Sequence, residues 1–280
     1  MGRAYRGHMQ VGIINPGDMG SAMGALIDAD VVWASNGRSD DSHDRAERYG
    51  FRDVGSMRQL VAEADLIVSV CPPDAALSVA QDVARKRFTG IYVDANAISP
   101  TTCVRVARLF PRFVDAGIFG SPPTEAGVSR MYLCGDDAPV VASLWEGTHL
   151  EPIIIEGPPG SSSALKMAYA GWTKGSAALL FAMRAYAESM GVVDQLLDEW
   201  DRSIPGLTDR IQRRATGTGP KAWRFAGEME EIAAALESTD LPPGFHEAAA
   251  EIYIRIADLR DIDHPTLAEV MAHLVGSEIH

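Results

Sequence analysis

Two short segments carry residue types that could hold a phosphorylated ligand. The first, VGIINPGDMGSAM at residues 11–23, sets Asn15, Gly17 and Gly20 at the spacing of a G-x-G-x-x-G turn, with asparagine where the first glycine would stand. Asparagine is the non-glycine residue best able to take a left-handed backbone conformation at a tight turn. A turn of this kind, set between a first strand and a first helix, offers backbone N–H groups and the positive end of the helix dipole to a dinucleotide pyrophosphate. Gly12, Asn15, Pro16, Gly17, Asp18, Met19 and Gly20 are thereby candidate cofactor contacts. The second segment follows VVWAS (31–35) and reads Asn36, Gly37, Arg38, Ser39. NAD sites place an acidic residue here to hold the ribose hydroxyls, whereas an arginine beside a hydroxyl can receive the adenosine 2′-phosphate. Asn36, Arg38 and Ser39 therefore predict NADP in preference to NAD, with Asp40 and Asp41 read as a solvated loop face.

Both segments need strands and helices in alternation to position them, and the chain supplies that pattern from Gln10 to about Ile155. Short β-branched runs at 11–14, 31–35, 66–70, 91–95, 112–118, 130–135 and 151–155 alternate with amphipathic stretches, which predicts βαβ units around a parallel sheet. After EGPPG (156–160) the strand signals end. Residues 161–191 read as one long helix, with serines at its start and Gly191 as its stop. Its surface is apolar nearly all round, which predicts burial on several sides by neighbouring helices or a second subunit. The fold class predicted is an α/β Rossmann N-terminal domain over residues 9–160 followed by an all-α C-terminal domain over 161–280, with a homodimer formed through the helical domain.

Composition narrows the partners. The formal charge is −13 and the 25 basic residues are dispersed, which argues against nucleic acid. No apolar run approaches the roughly 20 residues that cross a bilayer, and no apolar leader follows the N-terminal arginines, so no membrane partner and a cytoplasmic address are expected. Cys71, Cys103 and Cys134 lie far apart, and the seven histidines form no zinc motif, so reduced thiols and a metal-free reaction are expected. No tyrosine is followed four positions later by lysine, which disfavours the short-chain dehydrogenase arrangement.

Taken with its order along the chain, the motif set resembles the β-hydroxyacid dehydrogenase superfamily, which includes 6-phosphogluconate and 3-hydroxyisobutyrate dehydrogenases and, more distantly, imine reductases. GIINPGDMGSAM resembles the family's opening G-x-I-G-x-G-x-M-G, with Asn15 replacing a glycine. VSVCPPDAA resembles a loop bordering the cofactor, which implies contacts from Cys71, Pro72 and Pro73, and VDANAISP resembles the segment with a polar residue beside the nicotinamide, here Asn96. VDAGIFGSPP stands in the place of the substrate-binding D-A-P-V-S-G-G, keeping Asp115 and Gly120 and placing Phe119 where the serine would be. EGPPGSSSALKMAYA resembles G-x-x-G-x-G-x-x-x-K-x-x-N-N, whose lysine is catalytic; Lys166 is kept, and Tyr169 and Ala170 replace the asparagines. The C-terminal half looks like a less characterised phosphogluconate-dehydrogenase-like branch.

Hydride transfer between an alcohol and a nicotinamide needs one positioned acid or base at the oxygen. Lys166 is the candidate, expected in the first turn of the long helix, where dipole and burial disfavour its charged form; it is one of only four lysines. Tyr169, three residues on, shares its helix face and could share the proton transfer or pack. Asn96 and Ser121 could bind the reacting oxygen, with Phe119 and Gly120 beside them. Trp223 and His246 are candidates to close the substrate pocket from the same chain or a partner. The leading expectation is an NADP-dependent oxidoreductase acting on a small hydroxy acid, keto acid or aldehyde. The alternatives are an imine reductase and a catalytically silent NADP-binding protein.

Overall fold

The computed structural model describes residues 9–275, and the last residues of the expected helical domain, 276–280, lie outside them. The chain divides into two compact units between Met167 and Ala168. The first holds eight strands: β1 Gln10–Ile14, β2 Asp30–Trp33, β3 Arg52–Asp53, β4 Leu66–Ser69, β5 Ile91–Asp94, β6 Phe113–Phe119, β7 Ser129–Cys134 and β8 Leu150–Ile154. The helices between them are α1 Asp18–Gly24, α2 Asp40–Arg48, α3 Met57–Glu63, α4 Pro73–Arg85, α5 Pro100–Ala107 and α6 Ala138–Ala142.

All eight strands form one sheet in the order β3-β2-β1-β4-β5-β6-β7-β8. The first six match the dinucleotide-binding order of a doubly wound sheet. Apolar side chains of the strands alternate between two cores. Val11, Ile13, Trp33 and Val68 face Met23 of α1, Ala46 of α2 and Trp145, while Ile14, Val32, Ile67 and Tyr92 face Leu60 of α3, Ala80 of α4 and Val106 of α5. Burial on both faces is why these strands read as nearly continuous apolar runs.

Two expectations need correction. The sheet is not all parallel, because β7 runs antiparallel to β6. A parallel crossover takes a dozen or more residues and usually a helix, and the segment between Phe119 and Ser129 has no helix to offer. The amphipathic stretch expected between the runs at 11–14 and 31–35 is helical over only part of its length: α1 stops at Gly24, where a Cβ would lie 2.5 Å from the Phe51 ring.

One long helix, α7, spans Ser161–Ser189, followed by α8 Val193–Ser203, α9 Leu207–Thr218, α10 Ala222–Glu237, α11 Gly244–Arg255 and α12 Leu267–Leu274. Gly191 at φ +69° turns the chain just past α7 as expected. The second unit is helical throughout its described residues. Its interior holds an ion pair between Lys174 and Glu228, with the lysine 4.1 Å from the centre of the Phe225 ring. Burial lowers the Lys174 pKa, opposed by Glu228.

Candidate functional site

Strands β1, β4, β5 and β6 are parallel neighbours whose registers align Ile14 with Ser69, Ser69 with Asp94 and Asp94 with Asp115. The segments that follow Ile14, Ser69 and Asp94 thus leave the sheet along one carboxyl edge, and β6 continues four residues past it to Phe119. Chain order reverses between β1 and β4, the position at which doubly wound sheets open a ligand crevice.

At that crevice Asn15 has φ +61°, the left-handed conformation for which asparagine is suited. Its carbonyl accepts the Gly17 N–H at 2.7 Å. Each glycine of the turn has its own reason. A Cβ on Gly20 would lie 3.0 Å from the Asn15 carbonyl oxygen, whereas one on Gly17 would meet nothing within 4 Å, so Gly17 faces open space. Gly12 lies inside β1, where a Cβ would press on Ile67, Ala64 and Leu60; it serves strand–helix packing and does not reach the edge where a cofactor would sit. Pro16 is buried, and Asp18 and Met19 open α1.

Arg45, not among the expected residues, donates from Nε to the Pro16 carbonyl at 3.0 Å and lies 3.6 Å from the Asp18 carboxylate. It comes from α2, so only the fold brings it to the turn.

The loop after β2 is fixed by the Asn36 N–H on the Gly55 carbonyl at 2.9 Å and the Arg38 N–H on the Ser35 carbonyl at 3.0 Å. Ser39 precedes α2, its hydroxyl 3.2 Å from that of Ser42. The Arg38 guanidinium is half-buried; its Nε is buried without a hydrogen-bond partner, and burial lowers its pKa. The Asn15 Oδ1 is likewise buried and unpartnered. A buried cationic donor beside an open glycine turn fits a phosphate, and the Asn15 acceptor fits a hydroxyl of the same nucleotide, since buried polar groups are otherwise paired.

Cys71, ahead of Pro72 and Pro73 at the start of α4, has its thiol pushed up to about 12 by burial, so it is neutral. Its N–H donates to Asn96 Oδ1 at 2.6 Å. The Asn96 amide donates to Ser69 Oγ at 3.2 Å and Asp94 Oδ1 at 3.0 Å, and the Asn96 N–H donates to the same Asp94 oxygen at 3.1 Å. Both side-chain hydrogens of Asn96 are thus engaged within the protein. The expectation that Asn96 binds the reacting oxygen is corrected accordingly: it ties the β4 and β5 loops together and retains only acceptor capacity toward a ligand. Asp94 is fully buried, and burial lifts its pKa to about 7, with the Asn96 N–H opposing the rise and Asp115 adding to it.

Asp115 on β6 has a structural task. Its Oδ2 accepts the N–H groups of Gly160, Ser162 and Ser163 at 2.9, 2.8 and 3.1 Å, and its Oδ1 accepts the Ser163 hydroxyl at 2.7 Å. A strand carboxylate therefore caps α7 from outside the helix. The helix begins at Ser161, just after Gly160 at φ +105°, so Lys166 is its sixth residue and sits in the second turn. The expectation of a first-turn lysine is corrected here. Lys166 Nζ donates to the Ile118 carbonyl at 2.6 Å and lies 5.2 Å from the centre of the Phe119 ring. Phe119 is 4% exposed and meets Tyr132 edge-on at 4.9 Å. A ring so enclosed contacts Lys166 more readily than a substrate. Gly120, at φ +103°, must be glycine because a Cβ would lie 1.9 Å from the Val128 carbonyl oxygen, and exposed Ser121 accepts the Ser129 hydroxyl through its own carbonyl.

In the helical unit, Tyr169 is 48% exposed. The Arg224 and Arg260 guanidiniums lie 5.8 and 5.4 Å from the centre of the Trp223 ring. His246 Nε2 is 3.3 Å from the Gly171 carbonyl, and Cβ atoms on Gly171 or Gly175 would each stand 3.1 Å from it, so these glycines seat the imidazole against α7. Among the described residues, no group of three or more His, Cys, Asp or Glu could hold a metal ion, and no helix is long and apolar enough to cross a membrane.

Residues 187–256 match a family described as a domain of unknown function, DUF1932. An uncharacterised 28.5 kDa protein of Methanothermus fervidus is 28% identical over 241 residues, 84% of this chain and 94% of its own. A conserved protein of unknown function whose structure is described as similar to 3-hydroxyacid dehydrogenases is 27% identical, with a TM-score of 0.68 over 90% of this chain and 98% of its own. The chain is similar in sequence to both of these proteins. The fold is shared with 3-hydroxyisobutyrate dehydrogenase of Mycobacterium tuberculosis, at 16% identity and TM-score 0.68 over 96% and 100% of the two chains. It is also shared with a reductive aminase of Aspergillus terreus in complex with NADPH, at 14% identity and TM-score 0.56 over 94% and 99%. The chain thus has an NAD(P)-dependent oxidoreductase fold.

Proposed function

We propose that the chain is an NADP-dependent oxidoreductase that moves hydride between the nicotinamide and a small hydroxy acid, keto acid or aldehyde, with Lys166 as the proton donor and acceptor. One observation carries the reading. Lys166 is hydrogen-bonded to the extension of β6, three strands along the carboxyl edge from the Asn15 turn. At about 4.8 Å per strand this separation is about 14 Å, enough for an extended dinucleotide to reach from one to the other.

When bound, the cofactor supplies or takes the hydride. The chain's own residues do the rest. The Asn15–Gly20 turn, braced by Arg45, receives the pyrophosphate, and the buried Arg38 Nε, with Ser39, receives the 2′-phosphate. The Asn96 tie holds the β4 and β5 loops at the nicotinamide end, and Lys166 Nζ passes a proton to or from the substrate oxygen. Ser121 and Gly120 at the exposed turn are the substrate-contact candidates of the first unit; Tyr169, Trp223 and His246 are those of the helical unit.

The helical unit also supports a homodimer. Tyr169, Trp172, Leu179, Met183 and Tyr186 of α7 are each at least 43% exposed, and Phe245 and Ile254 of α11 are 63% and 57% exposed. Spacings of three, four and seven residues place the α7 set on one face, and apolar surface of this extent marks an interface.

A panel of small hydroxy acids, aldehydes and cyclic imines, run with NADPH or NADP and with Lys166→Met alongside wild type, tests the activity. Turnover of a carbonyl or alcohol that Lys166→Met loses supports the reading. Turnover that Lys166→Met retains overturns it, and turnover of imines alone selects the imine-reductase alternative.

A further inference from the structure

Lys166 stands in a seat made by three consecutive residues of β6. Gly117 is where β6 and α7 come closest: a Cβ there would lie 3.0 Å from the Ser162 carbonyl oxygen, 3.3 Å from Phe119 Cε2 and 3.4 Å from Lys166 Cβ. Ile118 offers its carbonyl to the ammonium at 2.6 Å. Phe119 turns a ring toward it at 5.2 Å, within the roughly 6 Å over which a cation is drawn to an aromatic face. The ring is itself held by Tyr132, whose edge meets it at 68°, and it is 4% exposed, so its orientation is locked by packing.

We propose that Phe119 is a positioning residue for Lys166: the locked ring face and the Ile118 carbonyl together hold the ammonium at one point above the end of β6. The inference rests on the reading of Lys166 as the proton-transferring group. A serine or alanine at position 119 would take the ring face away from the ammonium, and a long lysine side chain with one contact fewer keeps more of its rotamer freedom. The ring also presents no acceptor to compete with a substrate oxygen for the lysine N–H groups.

The protein has only four lysines, so each can be followed by reductive methylation with 13C-formaldehyde and NMR, with Lys166→Arg assigning the signal. Methyl groups above a ring face resonate upfield. Lys166 is expected upfield of Lys86 and Lys221, together with Lys174, which lies 4.1 Å from the Phe225 ring and serves as an internal reference. Phe119→Leu and Phe119→Met are expected to abolish the Lys166 displacement while leaving that of Lys174, and Phe119→Tyr to retain it; the methionine variant, with its adaptable side chain, stands in if the leucine variant fails to fold. On a substrate found by the panel, the leucine and methionine variants are expected to lower kcat between about two- and thirty-fold with a smaller change in KM, the span of a cation–π contact of about 0.5–2 kcal/mol. An undisplaced wild-type Lys166 signal, a displacement that survives in the leucine and methionine variants, or an unchanged kcat once it is lost overturns the proposal. If the wild type turns nothing over, the functional reading falls, and the NMR displacement still judges the seat.

Discussion

Replacing Asp115 tests how the sheet sets the start of α7 and thereby the height of Lys166. Asp115 is wholly buried, and its carboxylate accepts three backbone N–H groups at 2.8–3.1 Å and one hydroxyl at 2.7 Å. Asp115→Ala strands three buried donors at about 1–3 kcal/mol each, a total of about 3–9 kcal/mol. A water entering the vacated space pulls the loss to the lower part of that range, about 4 kcal/mol. Asp115→Asn keeps an acceptor: with its oxygen toward the three N–H groups and its amide toward Ser163 Oγ, the hydroxyl rotates to accept and only the charge is lost, about 1–2 kcal/mol. Urea titrations followed by circular dichroism read both numbers from the midpoints if the slopes stay equal. An alanine variant within about 1 kcal/mol of wild type, or an asparagine variant as unstable as the alanine one, would refute the capping account.

Further outcomes follow from neighbouring residues. Asp94, at about 7 when folded and about 3.9 when unfolded, holds a proton in the native state that the unfolded chain releases, so the stability it contributes is fully present below pH about 4 and lost as pH rises through 7. Asp94→Asn is expected to flatten that dependence, gaining up to about 4 kcal/mol on wild type between pH 4 and 8.5 in thermal or urea unfolding; parallel wild-type and variant profiles would contradict it. Gly120→Ala, whose Cβ would lie 1.9 Å from a backbone oxygen, is expected to cost about 3 kcal/mol or more, against no more than about 1 kcal/mol for Asn15→Gly, measured by the same unfolding assays. Arg45→Ala is expected to weaken nucleotide binding several-fold, about 1 kcal/mol, in a fluorescence titration, since it frees the Pro16 carbonyl and leaves Asp18 without its partner; unchanged affinity would remove Arg45 from the site.

Local signals were readable in the sequence and long-range ones were not. Asn15 could be placed because the demand for a positive φ is met by the residue itself. Seven of the eight strands of the first unit and the long α7 were legible from apolar runs and helix-length patterning; β3, the two exposed residues Arg52 and Asp53, carries no apolar run and was missed. The return of β7 was legible in principle, since SPPTEAG carries turn residues and no helix period. Arg45 was not, because nothing in α2 announces that its guanidinium folds back over Pro16, 29 residues earlier. Asp115 was noticed as a motif residue, but its bonds to Gly160, Ser162 and Ser163 span 45–48 residues and exist only once β6 and α7 are packed. Lys166 needed only counting: a helix starting at Ser161, as the sequence already indicated, puts its sixth residue in the second turn. Asn96 shows the opposite case: its residue type suggested a ligand contact, and the fold gives its hydrogens to Ser69 and Asp94.

The central claim is that the carboxyl edge around Asn15 and Arg38 binds NADP. Fluorescence titration of the purified protein with NADPH and separately with NADH, wild type beside Arg38→Ala, tests it most directly. The account predicts NADPH binding tighter than NADH and a loss of that preference in Arg38→Ala, because it assigns the buried, unpartnered Nε to the 2′-phosphate. Binding of neither nucleotide would contradict the account outright.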